Sequence, residues 1–375
     1  MKIAYFACNF PPILGGIGTA CHYTANEIGK SHDVTIFLAD RNVDYLKGNY
    51  KIKLFKPWFS YGYANFVPQT FNLVRDFDIV HLYYPYFGVA EFLFLRKLLG
   101  KKTPRIIFHQ EMDMVGEGIT KIVNDIHKKI ILNWMLKKID RIFVLSEDYA
   151  QNSDFKKIFK QSPEKFRVLP NGVDTQKFIP QETAPKTSRE FVVFTAQGLD
   201  KQHFFKGIDI LIKAISILIQ NYKLPIKLVI AGDGNLKKDY QNMAQDLDIL
   251  DKVEFLGSIE HDKLPKYYNL AQVTAVPSTQ KTESFSITAA ESMACGTPVL
   301  VSDWPGLRAT IQDQVTGLIV KPSDEKNLAE KIKYLYEHPQ KLEEMSKNSR
   351  HRAVKKYDWQ IIAQSALNYY QELCP

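Results

Sequence analysis

Short apolar runs alternate with longer helical patterns along the whole chain, and this alternation limits the folds that the chain can adopt. In the first half the predicted strands cover residues 2–8, 34–39, 52–55, 79–82, 106–108, 142–145 and 166–169. In the second half they cover residues 191–196, 227–231, 253–256, 273–276, 299–301 and 317–320. Strands that alternate with helices favour parallel sheets with helices on both faces, so the sequence predicts an α/β fold with doubly wound sheets.

The length of the chain indicates two domains. Its 375 residues exceed one ordinary domain and suit two of about 180 residues each. Residues 176–189 contain Pro180 and Pro185 without clear periodicity, so we expect the linker there. The predicted organisation is a first domain over residues 1–178, a second over residues 190–356 and a C-terminal helical segment over residues 357–375. Ligands of open parallel sheets bind beyond the carboxyl ends of the strands, so we expect a cleft where the two sets of strand ends face each other.

The composition excludes several classes of protein. With 45% hydrophobic and 24% charged residues, the chain is expected to be soluble and globular. We expect no secretory leader, because Met1 and Lys2 run straight into the first predicted strand, and no apolar run approaches the ~20 residues that span a bilayer. The four cysteines, Cys8, Cys21, Cys295 and Cys374, show no C-x-x-C spacing. This pattern argues against a zinc site and favours a cytoplasmic location.

The charge is concentrated in the first half. Residues 1–180 hold 25 Lys and Arg against 17 Asp and Glu, whereas residues 181–375 hold 24 of each. A basic domain favours an anionic partner, and we expect a membrane surface or a phosphorylated acceptor rather than nucleic acid, for which no binding motif is present. An aromatic cluster in this half fits a membrane surface or a buried core: Trp58, Phe59, Tyr61, Tyr63 and Phe66. Alternatively, the excess of positive charge in the first half only keeps the protein soluble.

The segment from Glu283 to Val299 carries the most specific chemistry. Glu283 and Glu291 are eight residues apart, and in a helix this offset brings the second carboxylate within about 80° of the first. The segment predicts a helix that begins after Glu283, with unpaired backbone donors at its start on Ser284, Phe285, Ser286 and Ile287. Such a helix start attracts anions, so we expect a sugar-bearing phosphate there. One carboxylate would hold sugar hydroxyls and the other a ribose.

Two other groups of residues follow predicted strands. Gly15, Gly16 and Gly18 lie between the first strand and a helical stretch, where glycines let the backbone approach an anion closely. His109 comes directly after a predicted strand, so we expect its imidazole at the rim of the cleft, where it can hydrogen-bond a sugar hydroxyl. Glu111 and Asp113 are candidate acceptor contacts. His81 has a similar position at the end of a predicted strand, where a functional and a structural role are both open, and His22 is expected to be structural.

These segments resemble the glycosyltransferases of family 4, in which two Glu flank seven residues and a Met-Ala-x-Gly-x-Pro-Val turn follows, here Met293 to Val299. The resemblance covers nearly the whole chain. It implies the GT-B architecture of two Rossmann-like domains facing a cleft. The first domain would take the acceptor, the second would take the nucleotide sugar, and the final helix would pack back on the first domain.

The resemblance also implies roles for individual residues. A family His close to the transferred sugar matches His109, and the Gly15-Gly16 loop would reach toward the donor diphosphate. Family members use an Arg and a Lys to neutralise that diphosphate; Lys206 matches the Lys, but no Arg follows Gly198, and Lys201 is the nearest cation. Two further strand ends look like the family's nucleoside-binding edges: Gly232-Asp233-Gly234 and the turn that ends at Ile259.

The predicted function is a retaining hexosyltransferase that moves a sugar from a UDP- or GDP-sugar to a hydroxyl acceptor, a glycan or a lipid-linked intermediate of cell-surface polysaccharide synthesis. We expect neither a metal nor a cofactor. The two D-x-D patterns, at residues 76–78 and 246–248, lie before a strand and in a helix rather than in a loop. A nucleotide-sugar epimerase-like enzyme and a non-catalytic sugar-nucleotide binding protein remain alternatives. The enzyme would act in the cytoplasm or at the inner face of the membrane.

The lysines of residues 127–138 give no basic face when they are placed at 100° per residue. We therefore expect this segment to be a buried helix with solvated ends rather than a membrane-binding helix.

Overall fold

The computed structural model describes residues 1–13, 15–41, 43–61, 64–114, 118–181 and 190–374. The chain divides into two units, Met1–Asn171 together with Trp359–Pro375, and Gly172–Asp358. The sequence-based boundaries at residues 178 and 357 differ from this division by a few residues. Of the predicted linker, residues 182–189 lie outside the described residues, and residues 176–181 belong to the second unit.

The first unit contains a parallel sheet of seven strands and a separate antiparallel hairpin. The strands of this unit are β1 Lys2–Phe6, β2 Asp33–Ala39, β3 Lys51–Phe55, β4 Phe59–Tyr61, β5 Ala64–Phe66, β6 Ile79–Tyr84, β7 Arg105–Gln110, β8 Arg141–Val144 and β9 Phe166–Val168. The order in the sheet is β3-β2-β1-β6-β7-β8-β9, and β4 pairs only with β5. The strand order reverses between β1 and β6, and ligand-binding loops of doubly wound sheets follow the strands at such a reversal.

Helices cover both faces of this sheet. They are α1 Gly16–Ile28, α2 Thr70–Leu73, α3 Ala90–Leu98, α4 Gly118–His127, α5 Asn133–Lys138, α6 Glu147–Asn152 and α7 Lys156–Gln161. A π-helical turn, Lys128–Leu132, joins α4 to α5.

The second unit repeats the architecture with a six-stranded parallel sheet. Its strands are β10 Phe191–Ala196, β11 Ile226–Ala231, β12 Val253–Gly257, β13 Val273–Val276, β14 Val299–Ser302 and β15 Gly317–Val320, in the order β12-β11-β10-β13-β14-β15. Its helices are α8 Ile208–Gln220, α9 Lys237–Asp246, α10 Leu264–Leu270, α11 Ile287–Ala294, α12 Leu307–Thr310, α13 Glu325–Glu337 and α14 Pro339–Arg352. The order reverses between β10 and β13, which identifies the loops that position its site.

The final helix, α15 Trp359–Leu373, belongs to the first unit and packs against α1. Trp359, Ile362, Ala366 and Tyr370 recur at spacings of three and four and are all buried, as one face of a helix requires. Trp359 stacks on Tyr23 of α1 with ring centroids 5.2 Å apart.

Burial on both faces explains why the central strands are predominantly apolar. In β1, Ala4 and Phe6 join one buried cluster of the first unit, and Ile3 and Tyr5 join another. A strand covered by helices on both faces carries apolar side chains at most of its positions, whereas the edge strand β3 keeps the exposed Lys51 and Lys53. The α/β fold with two doubly wound parallel sheets is therefore confirmed, and all thirteen predicted strands are present with ends that differ by at most two residues.

The β4–β5 hairpin was not predicted. Its strands are three residues each, too short for a period-of-two pattern to be distinguished from a loop. Trp58 and Phe59 are 71% and 63% exposed, so they do not pack in the core. Tyr63 and the side chain of Tyr61 lie outside the described residues. Among the residues that the structure describes, no helix has both the length and the apolar character needed to cross a bilayer.

Candidate functional site

The loops that follow β10 and β13 bind each other at the carboxyl edge of the second sheet. Gly207 ends the loop after β10 with a left-handed backbone, φ 72°, and a Cβ there would lie 2.1 Å from the carbonyl oxygen of Pro277. The amide of Thr279 donates a hydrogen bond of 2.7 Å to the carbonyl of Phe205. Only glycine satisfies both the backbone conformation and the close contact, so Gly207 fixes the position of its neighbour Lys206.

Lys206 and Glu283 form a largely buried ion pair at this edge. The Nζ of Lys206 lies 2.8 Å from Oε1 of Glu283, and the hydroxyl of Ser278 donates to Oε2 at 2.5 Å. The side chains of Lys206 and Glu283 are 17% and 8% exposed. Both carboxylate oxygens therefore have protein partners, and the ammonium group has a fixed place beside α8.

Helix α11 begins later than the sequence predicts. Its first residue is Ile287, and Ser286 is the N-cap, whose hydroxyl accepts a hydrogen bond of 3.2 Å from the amide of Ala289. The amides of Ser284, Phe285 and Ser286 precede the first helical residue, so the expectation that they are donors of the first turn was wrong for these three and holds only for Ile287. The helical offset of 80° between Glu283 and Glu291 was also wrong, because residues 283–286 are not helical.

Glu291 lies inside α11 and has two partners that the sequence analysis missed. The Nε2 of His261 donates to its Oε1 at 2.6 Å, and the hydroxyl of Tyr268 donates to its Oε2 at 2.8 Å. Glu291 is 4% exposed, whereas the ring of His261 is about half exposed and also contacts Lys177. Burial and the nearby carboxylate raise the pKa of Tyr268 well above its usual range, so it acts as a donor. Because His261 is 30 residues away in sequence, no local pattern connected it with Glu291.

The turn after β11 packs against the loop after β10. A Cβ on Gly232 would lie 1.8 Å from the carbonyl oxygen of Gln197, and one on Gly234 would lie 2.3 Å from the carbonyl carbon of Leu199. The side chain of Asp233 is 55% exposed, and its carboxylate accepts from the amide of Gly234 at 2.9 Å. The neighbouring β12 ends at the same edge, and the half-buried Ile259 follows it.

Lys201 begins the 3₁₀ turn that Lys206 ends. Its side chain is exposed, and its amide donates to the Oδ1 of Asn235 at 2.9 Å. In the described part of the chain, no carboxylate forms an ion pair with its Nζ. The two lysines therefore differ, because Lys206 is fixed by a carboxylate and Lys201 is solvated.

In the first unit, the loop after β1 packs closely on itself before α1 begins. A Cβ on Gly15 would lie 2.2 Å from the Nδ2 of Asn9, and one on Gly18 would lie 2.8 Å from the Cα of Phe10. Helix α1 starts at Gly16, and its first turn carries no acidic side chain. Leu14 lies outside the described residues.

His109 does not lie at the rim. It lies inside β7 and is 2% exposed; its Nε2 is 3.0 Å from the carbonyl of Leu169, and its Nδ1 is 3.2 Å from the Nε2 of His81. A carbonyl only accepts, so Nε2 of His109 carries the proton and Nδ1 accepts from His81. The hydroxyl of Tyr370 then donates to the Nδ1 of His81, at 2.5 Å. Burial lowers the pKa of His109 to about 4, so the ring is neutral and both of its nitrogens bind within the unit.

Glu111 is the buried ionisable group at the carboxyl end of β7. It is 4% exposed, and the side-chain amide of Asn171 donates to its Oε2 at 2.9 Å. Burial raises the pKa of Glu111 to about 7, although the bond from Asn171 opposes this rise. Asp113 has a structural position instead, because its Oδ1 accepts from the amide of Asp154 at 2.9 Å and from Gln110 at 3.0 Å.

His22 and the last aspartates of the two D-x-D patterns lie in parts of the fold that have a structural role. His22 is buried and bonds through Nδ1 to the hydroxyl of Tyr50 at 2.7 Å, and burial lowers its pKa. Asp78 accepts from the amide of Lys2 at 2.7 Å, beside the start of β6. Asp248 follows α9 in a left-handed turn. Within the described ranges, no three His, Cys, Asp or Glu side chains are grouped so that they could hold a metal ion.

Comparisons with known proteins agree with this division into two units. The family model described as Glycosyltransferase Family 4 matches residues 14–177, and the model described as Glycosyl transferases group 1 matches residues 175–352. The uncharacterised glycosyltransferase MJ1607 of Methanocaldococcus jannaschii is 24% identical over 99% of this chain and 98% of its own length. The alpha-monoglucosyldiacylglycerol synthase of Streptococcus pneumoniae is 26% identical over 85% of this chain and 75% of its own length.

Among solved structures, that of Anabaena Alr3699/HepE in complex with UDP is similar over 99% of this chain and all of that chain. The TM-score is 0.75 and the sequence identity is 18%. The same protein has also been solved with UDP-glucose, with a TM-score of 0.72.

The raised pKa of Glu111 predicts a specific dependence of stability on pH. The folded chain keeps the Glu111 proton between pH 4.5 and about 7, whereas the unfolded chain loses it near pH 4.5. Stability therefore falls as pH rises through this window. Relative to wild type, Glu111→Gln should gain up to about 3 kcal/mol in the free energy of unfolding between pH 4.5 and pH 8.

Urea denaturation at both pH values measures this change, with Glu147→Gln as the control at an exposed position. The lowered pKa of His109 contributes in the opposite direction below pH 6.5, and because wild type and Glu111→Gln both contain this buried ring, we compare the two proteins rather than read the wild-type curve alone. A difference that does not change with pH would contradict the prediction.

Proposed function

The chain belongs to glycosyltransferase family 4 and has the two-domain GT-B fold, and from this premise we propose that it is a retaining hexosyltransferase. It transfers a sugar from a UDP- or GDP-sugar to a hydroxyl acceptor. The observation that carries the proposal is the buried pair of Lys206 and Glu283 at the reversal of strand order in the second sheet. A nucleotide diphosphate sugar presents an anion next to a ring of hydroxyls, and this pair offers a cation next to a carboxylate.

The donor diphosphate binds at the edge of the second unit that holds Lys206. The starts of α8 and α11 lie at this edge, and the positive ends of their dipoles favour an anion. Lys206 supplies a fixed positive charge and Lys201 a mobile one, in place of the Arg that most family members have. The charge on the leaving diphosphate increases as the glycosidic bond breaks, so cations placed here stabilise the transition state more than the bound substrate.

Glu283 binds hydroxyls of the transferred sugar. A carboxylate has about four lone-pair positions, and Lys206 and Ser278 occupy two of them. The remaining positions accept from sugar hydroxyls, while the two protein partners prevent the carboxylate from rotating.

The nucleoside binds along the turns after β11 and β12, against Gly232, Asp233, Gly234 and Ile259. Glu291 accepts from the ribose hydroxyls with the lone pairs that His261 and Tyr268 leave. Gly232 and Gly234 let the turn after β11 pack directly on the loop after β10, so the turn that would contact the nucleoside has a fixed position. The UDP complex of Alr3699/HepE supports a nucleotide donor for this chain.

The acceptor binds to the first unit near the Gly15-Gly16 loop and Glu111. The role of His109 is to position the end of β7, because both of its ring nitrogens bind within the unit. The Streptococcus pneumoniae relative is named for the synthesis of a monoglucosyldiacylglycerol, and this lipid product supports a lipid-linked intermediate or a glycan of cell-surface polysaccharide synthesis as the acceptor here. The enzyme then works in the cytoplasm, at the inner face of the membrane.

The reaction leaves the configuration of the anomeric carbon unchanged. The acceptor oxygen forms its bond to that carbon on the face from which the diphosphate oxygen departs. The acceptor proton passes to a phosphate oxygen of the leaving nucleotide diphosphate, so no protein nucleophile is required. Lysines and helix ends supply the positive charge, and the reaction proceeds without a metal.

A panel of nucleotide sugars tests the proposal. Thermal-shift measurements should identify one UDP- or GDP-sugar that stabilises the protein by about 2.7 kcal/mol at 100 times its dissociation constant. Incubation of that donor with hydroxyl acceptors should release nucleotide diphosphate only when an acceptor is present. Conversion of the donor without an acceptor would favour an epimerase-like enzyme. Binding without turnover for every acceptor would favour a non-catalytic binding protein.

Lys206→Ala should lower turnover about 10²–10³-fold, because one preorganised charge at the diphosphate is lost. Initial rates with saturating donor measure the effect, and circular dichroism checks that the variant folds. Lys206→Arg, which keeps the charge, should recover part of the rate. Lys238→Ala, at an exposed position of α9, serves as the control. Turnover of Lys206→Ala close to that of wild type would exclude the proposed role.

Transfer should continue in the presence of EDTA, since positive side chains and helix ends neutralise the diphosphate. Rates are compared after dialysis against EDTA and after addition of Mg²⁺ or Mn²⁺. Loss of activity in EDTA followed by recovery with either metal would show that the enzyme depends on a metal.

A further inference from the structure

A row of large apolar side chains is exposed along the outside of the first unit. Helix α4, the π-turn and α5 form one continuous helical segment of 21 residues, Gly118–Lys138. Ile122, Ile126, Ile130 and Trp134 recur at every fourth position of this segment and are 61%, 52%, 68% and 48% exposed. These four side chains are called the apolar row below. Exposed apolar residues are ordinary when single, but a contiguous row indicates an interaction surface.

The π-turn explains why these four residues lie in one row. In an α-helix, residues four apart are about 400° apart, so such a row would rotate by about 40° at each step. A π-turn is closed by bonds between residues i and i+5 and holds more residues than an α-turn, which reduces this rotation. The expectation that residues 127–138 form a buried helix with solvated ends was wrong in one respect, because Ile130 and Trp134 in the middle of the segment are exposed.

A row of positive charge runs beside the apolar row. Lys121 and Lys129 immediately precede Ile122 and Ile130, Lys137 follows at the same spacing of eight residues, and all three lysines are exposed. Asp125 is the exposed acid between them. Lys128 points elsewhere and forms an ion pair of 3.0 Å with Asp154. The solvent-facing side of the segment is thus both apolar and cationic.

The apolar surface continues onto the neighbouring helix α3. Trp134 packs edge-on against Phe94 of α3 with ring centroids 4.9 Å apart. The same helix and its end expose Leu95, Leu98 and Leu99 at 39%, 43% and 56%, and the exposed Lys101 and Lys102 follow.

From α3 the surface extends to the β4–β5 hairpin. Phe92 of α3 packs against Phe66 of the hairpin with ring centroids 5.1 Å apart. Phe66 in turn stacks on Phe59 and contacts Trp58, and these two rings are among the most exposed apolar side chains of the described residues. The apolar row and the hairpin therefore lie at the two ends of one surface of the first unit.

We propose that this surface docks on an anionic lipid bilayer, with the apolar row inserted among the head groups and the lysines bound to lipid phosphates. Isoleucines with an interfacial tryptophan and flanking lysines have the chemistry of a helix that lies in the plane of a bilayer interface. A bilayer of anionic lipids supplies both an apolar layer and the opposite charge.

A second copy of the chain is a poorer partner for this surface. In a symmetric dimer the same patch of both copies would meet, so the lysine rows would face each other with equal sign. The bilayer relieves this repulsion, because its charge is opposite.

The position of the surface suits an acceptor held in a membrane, and this part of the inference rests on the proposed function. Helix α4 follows the carboxyl end of β7, and the hairpin follows the carboxyl end of β3. Both therefore begin at the edge of the sheet that carries Glu111 and Gly15. Docking of this surface would bring that edge close to the hydroxyl of a lipid-linked acceptor.

Flotation of the full chain with liposomes tests the proposal without donor or acceptor, so its result does not depend on the transfer reaction. Vesicles of phosphatidylcholine with about 30% phosphatidylglycerol should carry the protein upward at low salt, and vesicles of phosphatidylcholine alone should carry far less. High salt should weaken binding, since ions screen the lysines.

The triple variant Ile122→Ser, Ile126→Ser and Ile130→Ser should lower the bound fraction about tenfold or more, because the inserted apolar area is lost. The matched control replaces three apolar residues that are 40–47% exposed elsewhere: Leu250→Ser, Leu270→Ser and Ile361→Ser. Replacement of Lys121, Lys129 and Lys137 by Ser should remove the preference for anionic lipid, with Lys53, Lys238 and Lys326 as exposed lysine controls.

Two outcomes would overturn the proposal. One is binding to anionic vesicles that the isoleucine variant leaves unchanged, and the other is no binding at low salt. Sedimentation at several protein concentrations measures whether the chain forms a dimer, which is the competing explanation for this surface. A dimer that the isoleucine variant abolishes would assign the surface to a second copy of the chain.

Discussion

The close contact between the loops after β10 and β13 is the constraint on which the site of the second unit depends. It exists because the strand order reverses between these strands, and their carboxyl ends therefore carry neighbouring loops that run to opposite faces of the sheet. Gly207 lets the two loops touch, and the contact brings Lys206 to Glu283 across 77 residues of sequence. A side chain at Gly207 would separate the loops and leave a buried carboxylate without its cation, which is costly.

In the first unit, burial favours the uncharged forms of two histidines and of Glu111, whereas the site of the second unit holds an ion pair. His109, His81 and Tyr370 form a buried chain of hydrogen bonds in which each proton has one possible place, so the histidines remain neutral. Glu111, beside them, has a raised pKa and is the ionisable group at the carboxyl end of β7. Because Tyr370 belongs to α15, the last helix of the chain helps to orient the end of a strand that is more than 250 residues earlier.

The outer surface of the first unit exposes large apolar side chains. Core positions of this unit are filled by strand residues and by one side of each helix, and yet α3, the α4–α5 segment and the hairpin expose large apolar groups. The π-turn aligns the exposed isoleucines, so a local change in helical period becomes a feature of the surface. Exposure of such groups costs solubility, and the proposed docking on a bilayer would account for their presence at one side of the unit.

The order of the strands in the chain, the α/β class and the two-domain organisation could be predicted from the sequence, because burial on both faces makes most strands predominantly apolar runs between helical patterns. The spacing of Glu283 and Glu291 and the position of Lys206 before a helix could also be read from the sequence. The partners of these residues were not. His261 and Tyr268 reach Glu291 only after β12 and α10 are placed beside α11. His109 was predicted to follow the strand because the apolar run ends at Phe108, whereas β7 continues for two more residues and includes His109.

The local sequence pattern thus determined the helices and strands and the types of residue at their ends. The tertiary structure decided which of those residues meet, which are buried and which face solvent, because these depend on contacts between segments far apart in the chain.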